Sequence, residues 1–426
     1  MDSNFFNFDE RLLKRDKEVL EGCKEIFEKI DEVTEYNQQK VLSAFINNKV
    51  SEMHLGLTTG YGYNDAGRET LEKVWADCMG AEDSIIRHNF VSGTHTLTVA
   101  LFGVLRPNDK MLCLTGRPYD TLIDVLGIDK HVSGSLKDFG VIYNQVDLDK
   151  EGKPDKEAIK QALKNDTYKM AYIQRSRGYS LRPSLTVDEI GELCKIVKEI
   201  SPNTIVMVDN CYGEFVERQE PTQVGADIIA GSLIKNPGGG IAPTGGYIAG
   251  RADLIEQCAF RLTAPGVGKE VGATLGHNRE LFMGVFASPH VVGEALKTAV
   301  YTAGLFESFG YAVTPKMNEK RADIIQAVVL EKSEALIAFC KGMQSGAPVD
   351  SFVSPEPWDM PGYNDKVIMA AGAFTMGASI ELSADAPLRE PFAAWMQGGL
   401  NFHSAHTGVL LAAQSMLESK ALKGVE

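Results

Sequence analysis

The sequence lacks the patterns that mark several large classes of protein. Its seven cysteines are scattered, with no Cys-x-x-Cys pair and no zinc-ligand spacing, so reduced thiols are expected rather than disulfides or a zinc site. It has no run of Lys or Arg, and its net charge is −14 because 57 acidic residues outnumber 43 basic ones. A nucleic-acid partner is not expected, since an acidic surface repels a phosphate backbone.

Long apolar segments are missing as well. No window holds eighteen uninterrupted apolar residues, which argues against a membrane-spanning helix. The opening stretch, MDSNFFNFDERLLKRDKEV, is charged and lacks the apolar core of a signal peptide. A cytoplasmic protein is therefore expected. No GxGxxG follows the first predicted strand and NPGGGIAP lacks a GK[ST] ending, so neither a Rossmann dinucleotide site nor a P-loop is predicted.

The chain does contain a long region in which short apolar runs alternate with helical patterns. With 426 residues and 44% hydrophobic content it can bury a large core. The runs predicted as strands are Ser84–His88, Lys110–Leu114, Gly140–Tyr143, Lys169–Gln174, Thr204–Val208, Asp227–Ala230 and Gly246–Ala249. Because most of these runs are apolar throughout, they predict an α/β domain with a mostly parallel seven-stranded sheet covered on both faces.

The flanking regions have a different texture. Residues 9–48 have helical periodicity and predict a packing arm. Residues 311–426 predict a smaller α+β domain. Its expected helices lie at about 318–344 and 405–419, and its expected strands near 350–354, 366–371 and 378–383. The predicted division is a helical arm at 1–60, a large domain at 61–300 and a C-terminal small domain at 301–426.

Polar groups follow three of the predicted strands, where ligands gather in open α/β sheets. Ser92-Gly93-Thr94 would open a helix, either as an anion site or as an ordinary cap. Asp209 ends an apolar run. Three roles are open for its carboxylate: a helix cap, a partner in a surface salt bridge, or an acid that faces a protonated heterocycle or a metal.

The third polar group is Lys235, in GADIIAGSLIKNPGGG, with Ser232 three positions before it. A lysine after a strand is usually a solvated end. Here the glycines predict a flexible loop that approaches a ligand closely, and a desolvated lysine there would have a lowered pKa and act as a nucleophile.

Together the three segments fit one ligand. An anion cradle, an acid and an amine match the phosphate, the ring nitrogen and the aldehyde of pyridoxal phosphate. Tyr119 follows another strand and would stack on the ring, or be an ordinary half-buried tyrosine. His403 and His406 are spaced i, i+3 with no HExxH pattern, so structural or pocket-lining roles are expected rather than metal binding.

Several longer motifs carry a resemblance to a known family. They are YGYNDAGRETLE, VSGTHT, IQRSRGYSLRPSLT, VDNCYGEFVE, GSLIKNPGGGIAPTGGYIAG, APGVGKEVGA and SIELSADAPLREPF. Over nearly the whole chain the sequence resembles the methionine γ-lyase-like or aluminium-resistance proteins, which are fold-type I pyridoxal-phosphate enzymes related to cystathionine lyases.

The resemblance implies roles for individual residues. Lys235 would bond covalently to the cofactor aldehyde, Asp209 would pair with the pyridinium nitrogen, and Tyr119 would stack on the ring. The implied phosphate ligands are Gly93, Thr94 and Ser232, with Ser92 nearby. The residues implied to reach the phosphate of a neighbouring subunit are Tyr61, Tyr63 and Arg68, which match only loosely.

The motifs also depart from those of classical γ-lyases. The phosphate loop reads Ser-Gly-Thr-His rather than Ser-Gly-Met-Ala, and the arginine expected to bind the substrate carboxylate sits in a different local sequence. Arg389 is the leading candidate because arginine binds carboxylates in a bidentate manner. Its rivals are Arg175, Arg177 and Arg182.

The resulting functional prediction is a pyridoxal-phosphate-dependent carbon–sulfur lyase. It would act on a sulfur-containing amino acid as a homodimer or homotetramer with shared active sites, and without nucleic-acid or membrane partners. Two alternatives remain open from the sequence: an aminotransferase or aldolase with the same cofactor, and a non-catalytic protein of metal tolerance.

Overall fold

The computed structural model describes residues 5–360 and 365–425. The helices are α1 (Glu10–Asn47), α2 (Ala66–Met79), α3 (Gly93–Val104), α4 (Asp120–Leu126), α5 (Lys156–Asn165), α6 (Val187–Ile200), α7 (Ala252–Leu262), α8 (Asn278–Ser308), α9 (Ser333–Ser345) and α10 (Phe402–Glu418). The strands are β1 (Asp83–Arg87), β2 (Lys110–Cys113), β3 (Ile142–Gln145), β4 (Met170–Gln174), β5 (Ile205–Asp209), β6 (Ile228–Ser232), β7 (Gly246–Gly250), β8 (Ala312–Thr314), β9 (Gln326–Val329), β10 (Val367–Ala370), β11 (Ser383–Pro387) and β12 (Ala393–Gln397). Across the described ranges, no helix is both long enough and apolar enough to span a bilayer.

The chain forms two compact units. One consists of residues 37–288, and the other joins residues 1–36 to residues 289–426. The boundaries of these units differ from the predicted boundaries at residues 60 and 300. The predicted division into functional domains stays a prediction.

A seven-stranded sheet lies at the centre of the unit formed by residues 37–288. Its strand order is β1-β7-β6-β5-β4-β2-β3. All pairs from β6 to β3 are parallel, and β7 runs antiparallel to both of its neighbours. Every residue of β4, β5, β6 and β7 is buried, as a sheet covered on both faces requires. The predicted α/β class and the predicted seven-stranded, mostly parallel sheet are confirmed.

Local signals in the sequence set the ends of the helices beside this sheet. The Ser92 hydroxyl accepts a hydrogen bond from the His95 amide at 3.0 Å and so begins α3. Thr186 and Glu189 form a reciprocal capping box at the start of α6. Gly80 ends α2 with φ 62°, a left-handed conformation that glycine adopts without a steric penalty.

The other unit holds a five-stranded antiparallel sheet with the order β10-β11-β12-β9-β8. The predicted helix at 318–344 is wrong, because β9 and α9 occupy that stretch. Residues 350–352 form a bend and a turn, and residues 353–354 have no regular secondary structure, so the predicted strand at 350–354 is wrong. The strand expected at 378–383 starts at Ser383 instead, as β11, whereas the prediction near 366–371 matches β10.

Candidate active site

The carboxyl ends of β5 and β6 meet the start of α3. A Cβ atom placed on Gly93 would lie 3.3 Å from the Ser232 Cβ and 3.8 Å from the Cys211 Sγ. The three segments that the sequence predicted to converge therefore do so within one compact unit. Because α3 directs its first backbone amides towards this point, the junction is electrostatically suited to an anion.

Hydroxyl groups surround the start of α3, and they differ in what they contact. The Ser232 hydroxyl is buried and has no hydrogen-bond partner among the described residues. The Thr94 hydroxyl shares a hydrogen bond of 2.7 Å with that of Thr121. The Ser92 hydroxyl serves as the helix cap, so the capping interpretation holds for that residue. An orphaned buried hydroxyl is costly, which makes Ser232 the strongest sign of a ligand here.

Asp209 is buried at the end of β5 with few donors. Its carboxylate accepts a hydrogen bond from the Cys211 amide at 3.1 Å and a long one from the Tyr172 hydroxyl at 3.5 Å. Burial raises the pKa of Asp209, and the nearby Lys235 amine and the Cys211 contacts oppose that rise only in part. A carboxyl group in this state suits a cationic partner such as a protonated ring nitrogen.

The Lys235 amine lies against the face of Tyr212, with 3.9 Å between Nζ and the ring centroid. Burial acts to lower the pKa of Lys235, but Cys211, Tyr212 and Asp209 outweigh it and raise the pKa above its ordinary value. The sequence argument, which expected desolvation to lower this pKa, is corrected. The reason is that the amine is buried among groups that favour its charged form.

The segment after Lys235 is a packed turn rather than the predicted flexible loop. Asn236, Pro237 and Gly238 form a buried 3-10 turn. A Cβ atom on Gly238 would lie 1.7 Å from the Leu233 carbonyl oxygen, so only glycine fits there. The glycines therefore allow close packing of backbone on backbone, and they hold Lys235 in a fixed turn.

A buried polar network lies beside the site. The Tyr247 hydroxyl donates to the Glu214 Oε1 at 2.7 Å, and the Asn210 amide donates to the Glu220 Oε2 at 3.2 Å. The other carboxyl oxygen of Glu214 has no hydrogen-bond partner in the described ranges. Burial raises the pKa of Glu214 to about 8, with Glu220 adding to the rise. Glu214 is thus a carboxylic acid that keeps its proton near neutral pH.

Tyr119 immediately precedes α4 and is half-buried. Its backbone amide donates to the Gln174 side chain at 2.7 Å, and its ring packs edge-on against Tyr179 with the centroids 5.9 Å apart. A Cβ atom on Gly178 would lie 2.9 Å from the Tyr119 ring. The ring is held by the segment after β4, and the predicted stacking role stays a prediction.

The arginines after β4 contact their own chain. The Arg175 guanidinium is fully buried, donates to the Asn210 side chain at 2.8 Å and lies 3.2 Å from the Glu217 carboxylate. Arg177 donates to the Ser184 hydroxyl at 3.3 Å. Arg182 donates to backbone carbonyls, including that of Gln174 at 2.9 Å. The placement of Arg175 argues against its predicted role as a ligand for a substrate carboxylate.

Arg389 lies in the unit that contains the five-stranded sheet. Its guanidinium is half exposed and pairs with the Asp365 carboxylate at 2.9 Å. Its predicted role with the substrate stays a prediction.

The two histidines flagged in the sequence lie on α10. His403 is exposed, whereas His406 is buried with Nε2 2.5 Å from the Asp16 carboxylate. The part of the chain that the structure describes has no cluster of three or more His, Cys, Asp or Glu residues arranged to hold a metal ion. The arrangement of His406 matches the structural role expected for it.

The residues predicted to reach a neighbouring subunit differ in exposure. Tyr61 is 74% exposed and Tyr63 is 59% exposed, with their ring centroids 5.5 Å apart. Arg68 is buried, and its guanidinium donates to the backbone carbonyls of Gly62 and Gly272 at 2.7 and 2.8 Å. The tyrosines are thus available to another chain, whereas the Arg68 donors hold two loops of their own unit together.

Sequence reasoning missed several residues of this site. These are Tyr172, Cys211, Tyr212, Glu214 and Asn236. Three of them lie in the motif VDNCYGEFVE and one directly follows Lys235, so their proximity in sequence to Asp209 and Lys235 was the available signal.

The arrangement of the sheet and site defines a class of protein. A Lys after β6 and an Asp at the end of β5, on a mostly parallel seven-stranded sheet, is the architecture of fold-type I pyridoxal-phosphate enzymes. The pyridoxal-5'-phosphate-dependent protein YhfS of Escherichia coli shares this fold with a TM-score of 0.61 at 16% identity, covering 91% of this chain and 97% of that one.

Sequence comparison then assigns the family. Residues 12–417 match the family described as methionine gamma-lyase, and the chain belongs to that family. It is 49% identical to the uncharacterized protein YnbB of Bacillus subtilis (strain 168) over 414 residues, covering 97% of this chain and 98% of that one. A solved structure from Clostridium novyi NT, described as a carbon-sulfur lyase involved in aluminum resistance, is 50% identical with a TM-score of 0.92. It covers 95% of this chain and 96% of that one. The predicted resemblance is confirmed.

Proposed function

We propose that this protein is a pyridoxal-phosphate-dependent carbon–sulfur lyase acting on a sulfur-containing amino acid. The observation that carries the proposal is the convergence of the orphaned Ser232 hydroxyl, the start of α3, the Asp209 carboxyl and the Lys235 amine in one unit. These groups match the phosphate, the ring nitrogen and the aldehyde of the cofactor. Family membership and the carbon-sulfur lyase from Clostridium novyi NT support the reaction type.

Each residue would hold one part of the cofactor. Ser232, Thr94 and the first amides of α3 would bind the phosphate, and Asp209 would hold a proton on the ring nitrogen. Lys235 would bond to the aldehyde carbon. When bound, pyridoxal phosphate supplies a carbonyl for the substrate amine and a ring that stores the electron pair of the broken Cα–H bond.

The chemistry expected of the protein itself is proton transfer. Once the substrate amine has displaced it, the Lys235 Nζ would take the proton from the substrate Cα and deliver a proton to the departing thiol group. Asp209 would keep the ring nitrogen protonated throughout. With one water consumed, which supplies the carbonyl oxygen, the products would be a thiol, a 2-oxo acid and ammonia. Such acid–base catalysis typically contributes about 10²–10⁴-fold.

The Lys235→Ala variant tests this proposal. We expect it to lose both the visible absorbance of the lysine-bound cofactor and measurable turnover, because no other amine takes its place. Borohydride reduction of the wild-type protein should fix the cofactor mass on the peptide that contains Lys235. A variant with wild-type turnover would remove Lys235 from the mechanism.

A panel of amino acids separates the reaction types. Release of a 2-oxo acid with ammonia and a thiol marks a lyase, whereas a requirement for an acceptor 2-oxo acid marks an aminotransferase. An aldehyde product would mark an aldolase. Retention of the cofactor without any product would mark a non-catalytic protein.

We also propose that the protein acts as a homodimer or larger assembly with shared sites. The exposed pair of Tyr61 and Tyr63 supports this, since contiguous exposed aromatic side chains mark interaction surfaces. Mixing inactive Lys235→Ala chains with inactive Tyr63→Ala chains should restore part of the activity if the sites are shared. Mixtures that stay inactive while the chains associate would contradict shared sites.

A further inference from the structure

The ring of Tyr212 is aimed at the Lys235 amine by an unusual backbone conformation. Tyr212 has φ 72°, in the left-handed region that non-glycine residues rarely adopt. Such a conformation persists only where the surroundings impose it, and it is concentrated at functional sites. Its effect here is to leave the ring 3.9 Å from the Lys235 Nζ, well within the range of a cation–π contact.

Asn236 locks the two turns that carry this contact. Its side-chain amide donates to the Tyr212 and Glu214 carbonyl oxygens, both at 3.0 Å. The backbone carbonyl oxygen of Asn236 accepts a hydrogen bond from the Ser288 hydroxyl at 2.6 Å. Because Asn236 directly follows Lys235, the residue that fixes the lysine backbone also fixes the backbone of the ring.

We propose that the Tyr212 ring face is a holding site for the Lys235 ammonium, occupied whenever that amine is not bonded to a carbonyl carbon. The proposal rests on the proposed function, which requires the amine to leave one bond, carry a proton and return. Tyr212 is then a positioning residue that keeps the freed amine in one place. It acts through the face of its ring, against which the amine lies, and its hydroxyl also contacts the amine.

Other groups facing the amine are kept constant in the test. Asp209 is the last residue of β5, Cys211 follows two positions later, and Glu214 lies in the next turn. Each of them interacts electrostatically with Lys235. A comparison of variants at Tyr212 leaves all three in place, and differences among the variants therefore report on the ring.

The experiment measures acetylation of Lys235 against pH in the full-length chain without added cofactor, by peptide mass spectrometry. The midpoint reports the proton affinity of the amine, and the limiting rate reports reagent access. Exposed Lys14 serves as the internal reference. Tyr212→Leu should lower the midpoint by about one pH unit or more, because a desolvated cation loses its aromatic partner. Tyr212→Phe is the matched control. It keeps the ring face and removes only the hydroxyl contact, so its midpoint should fall by clearly less than that of Tyr212→Leu.

Two results would overturn the proposal: a Tyr212→Leu midpoint equal to that of the wild type, or equal shifts in the Leu and Phe variants, which would assign the effect to the hydroxyl. If Tyr212→Leu does not fold, Asn236→Leu replaces it, since it removes the donor to the Tyr212 carbonyl without adding charge. A lowered midpoint supports the proposal, and an unchanged one refutes it.

Capture of pyridoxal phosphate is scored separately by borohydride reduction. Failure of Lys235 to retain the reduced cofactor would refute the proposed function and leave the midpoint comparison intact. Capture with no difference among the Tyr212 variants would refute the holding site alone.

Discussion

Two buried carboxyl groups in different units of this protein have opposite surroundings. Asp16 accepts from the Tyr301 hydroxyl at 2.8 Å and lies 2.5 Å from the His406 Nε2. Burial acts to raise the pKa of Asp16, but the contacts with His406 and Tyr301 outweigh it and lower the pKa. Asp209 accepts from the Cys211 amide at 3.1 Å and from the Tyr172 hydroxyl at 3.5 Å. Burial raises its pKa, and the contacts with Lys235, Cys211 and Tyr172 do not cancel that rise.

The different surroundings of these two carboxyl groups suggest a structural role for Asp16 and a functional role for Asp209. The Asp16 carboxylate, whose Oδ1 makes both of these contacts, ties distant parts of the chain together. A buried carboxyl with weak donors is costly, and such a cost persists where a ligand or a reaction requires it. By this criterion Asp209 marks a site, whereas Asp16 marks a structural contact between residues 390 positions apart.

The largest expected effect comes from Asp209→Asn. We expect kcat to fall by about 10²–10³-fold, since under the proposed function the cofactor's ring nitrogen would lose the charge that keeps it protonated. The free energy of unfolding should fall little or rise, because the change removes a poorly paired buried acid. Steady-state kinetics measure the change in kcat, and urea denaturation measures the change in the free energy of unfolding. Asp16→Asn is the matched control and should leave kcat unchanged. An equal loss of activity in both variants would contradict the assignment of Asp209 to a functional site and of Asp16 to a structural contact.

A second prediction uses the pH dependence of stability. Glu214 has a pKa of about 8 in the folded protein, against an ordinary value of 4.5. Between these values the folded state binds a proton that the unfolded state lacks, so stability falls as pH rises. Relative to Glu214→Gln, the wild type should lose about 1.4 kcal/mol of unfolding free energy per pH unit across that window.

Denaturant titrations of the two chains at pH values from about 4 to 9 check this slope. Parallel curves throughout the range would mean that Glu214 ionises normally in the folded state. In that case the contrast with Asp16 would rest on Asp209 alone.

The smallest expected effect concerns Asp16 itself. Asp16→Asn should lower the free energy of unfolding by about 1–3 kcal/mol near neutral pH, because it weakens a buried charged contact. The pKa of Asp16 lies below its ordinary value of 3.8 in the folded protein. Its contribution is therefore present above pH 3.8 and is lost as pH falls through the lower value. The difference between the two chains should narrow in that acidic range, and a constant difference would show that the carboxylate charge is not responsible.

The sequence predicted the large sheet well because its strands are short runs that are apolar at nearly every position. Such runs bounded by turn residues have few alternative structures, and β5 and β6 are examples. It failed at 318–344, where the apolar stretch holding β9 and α9 also fits one long helix. Periodicity alone does not separate these cases, because β9 exists through its pairing with β8 and β12.

For the site, the sequence located groups but not their electrostatic states. Lys235, Asp209 and Ser232 were found from their positions after strands. The raised pKa of Lys235 depends in part on Cys211 and Tyr212. Tyr212 has a left-handed backbone conformation that no spacing rule indicates. The rigid turn after Lys235 was missed because glycine serves close packing as well as flexibility.

The turn after Lys235 also affects the conformational entropy that would be lost when the Lys235 amine bonds to a ligand. Packing at Gly238 and the Asn236 amide fixes the backbone of Lys235, so only rotations of its four-carbon stem remain to be ordered when the amine forms a bond. Immobilising one long side chain costs about 2 kcal/mol, whereas a free loop costs about 1–2 kcal/mol for each residue that becomes ordered. Under the proposed function, cofactor binding would therefore lose little free energy to ordering of the backbone.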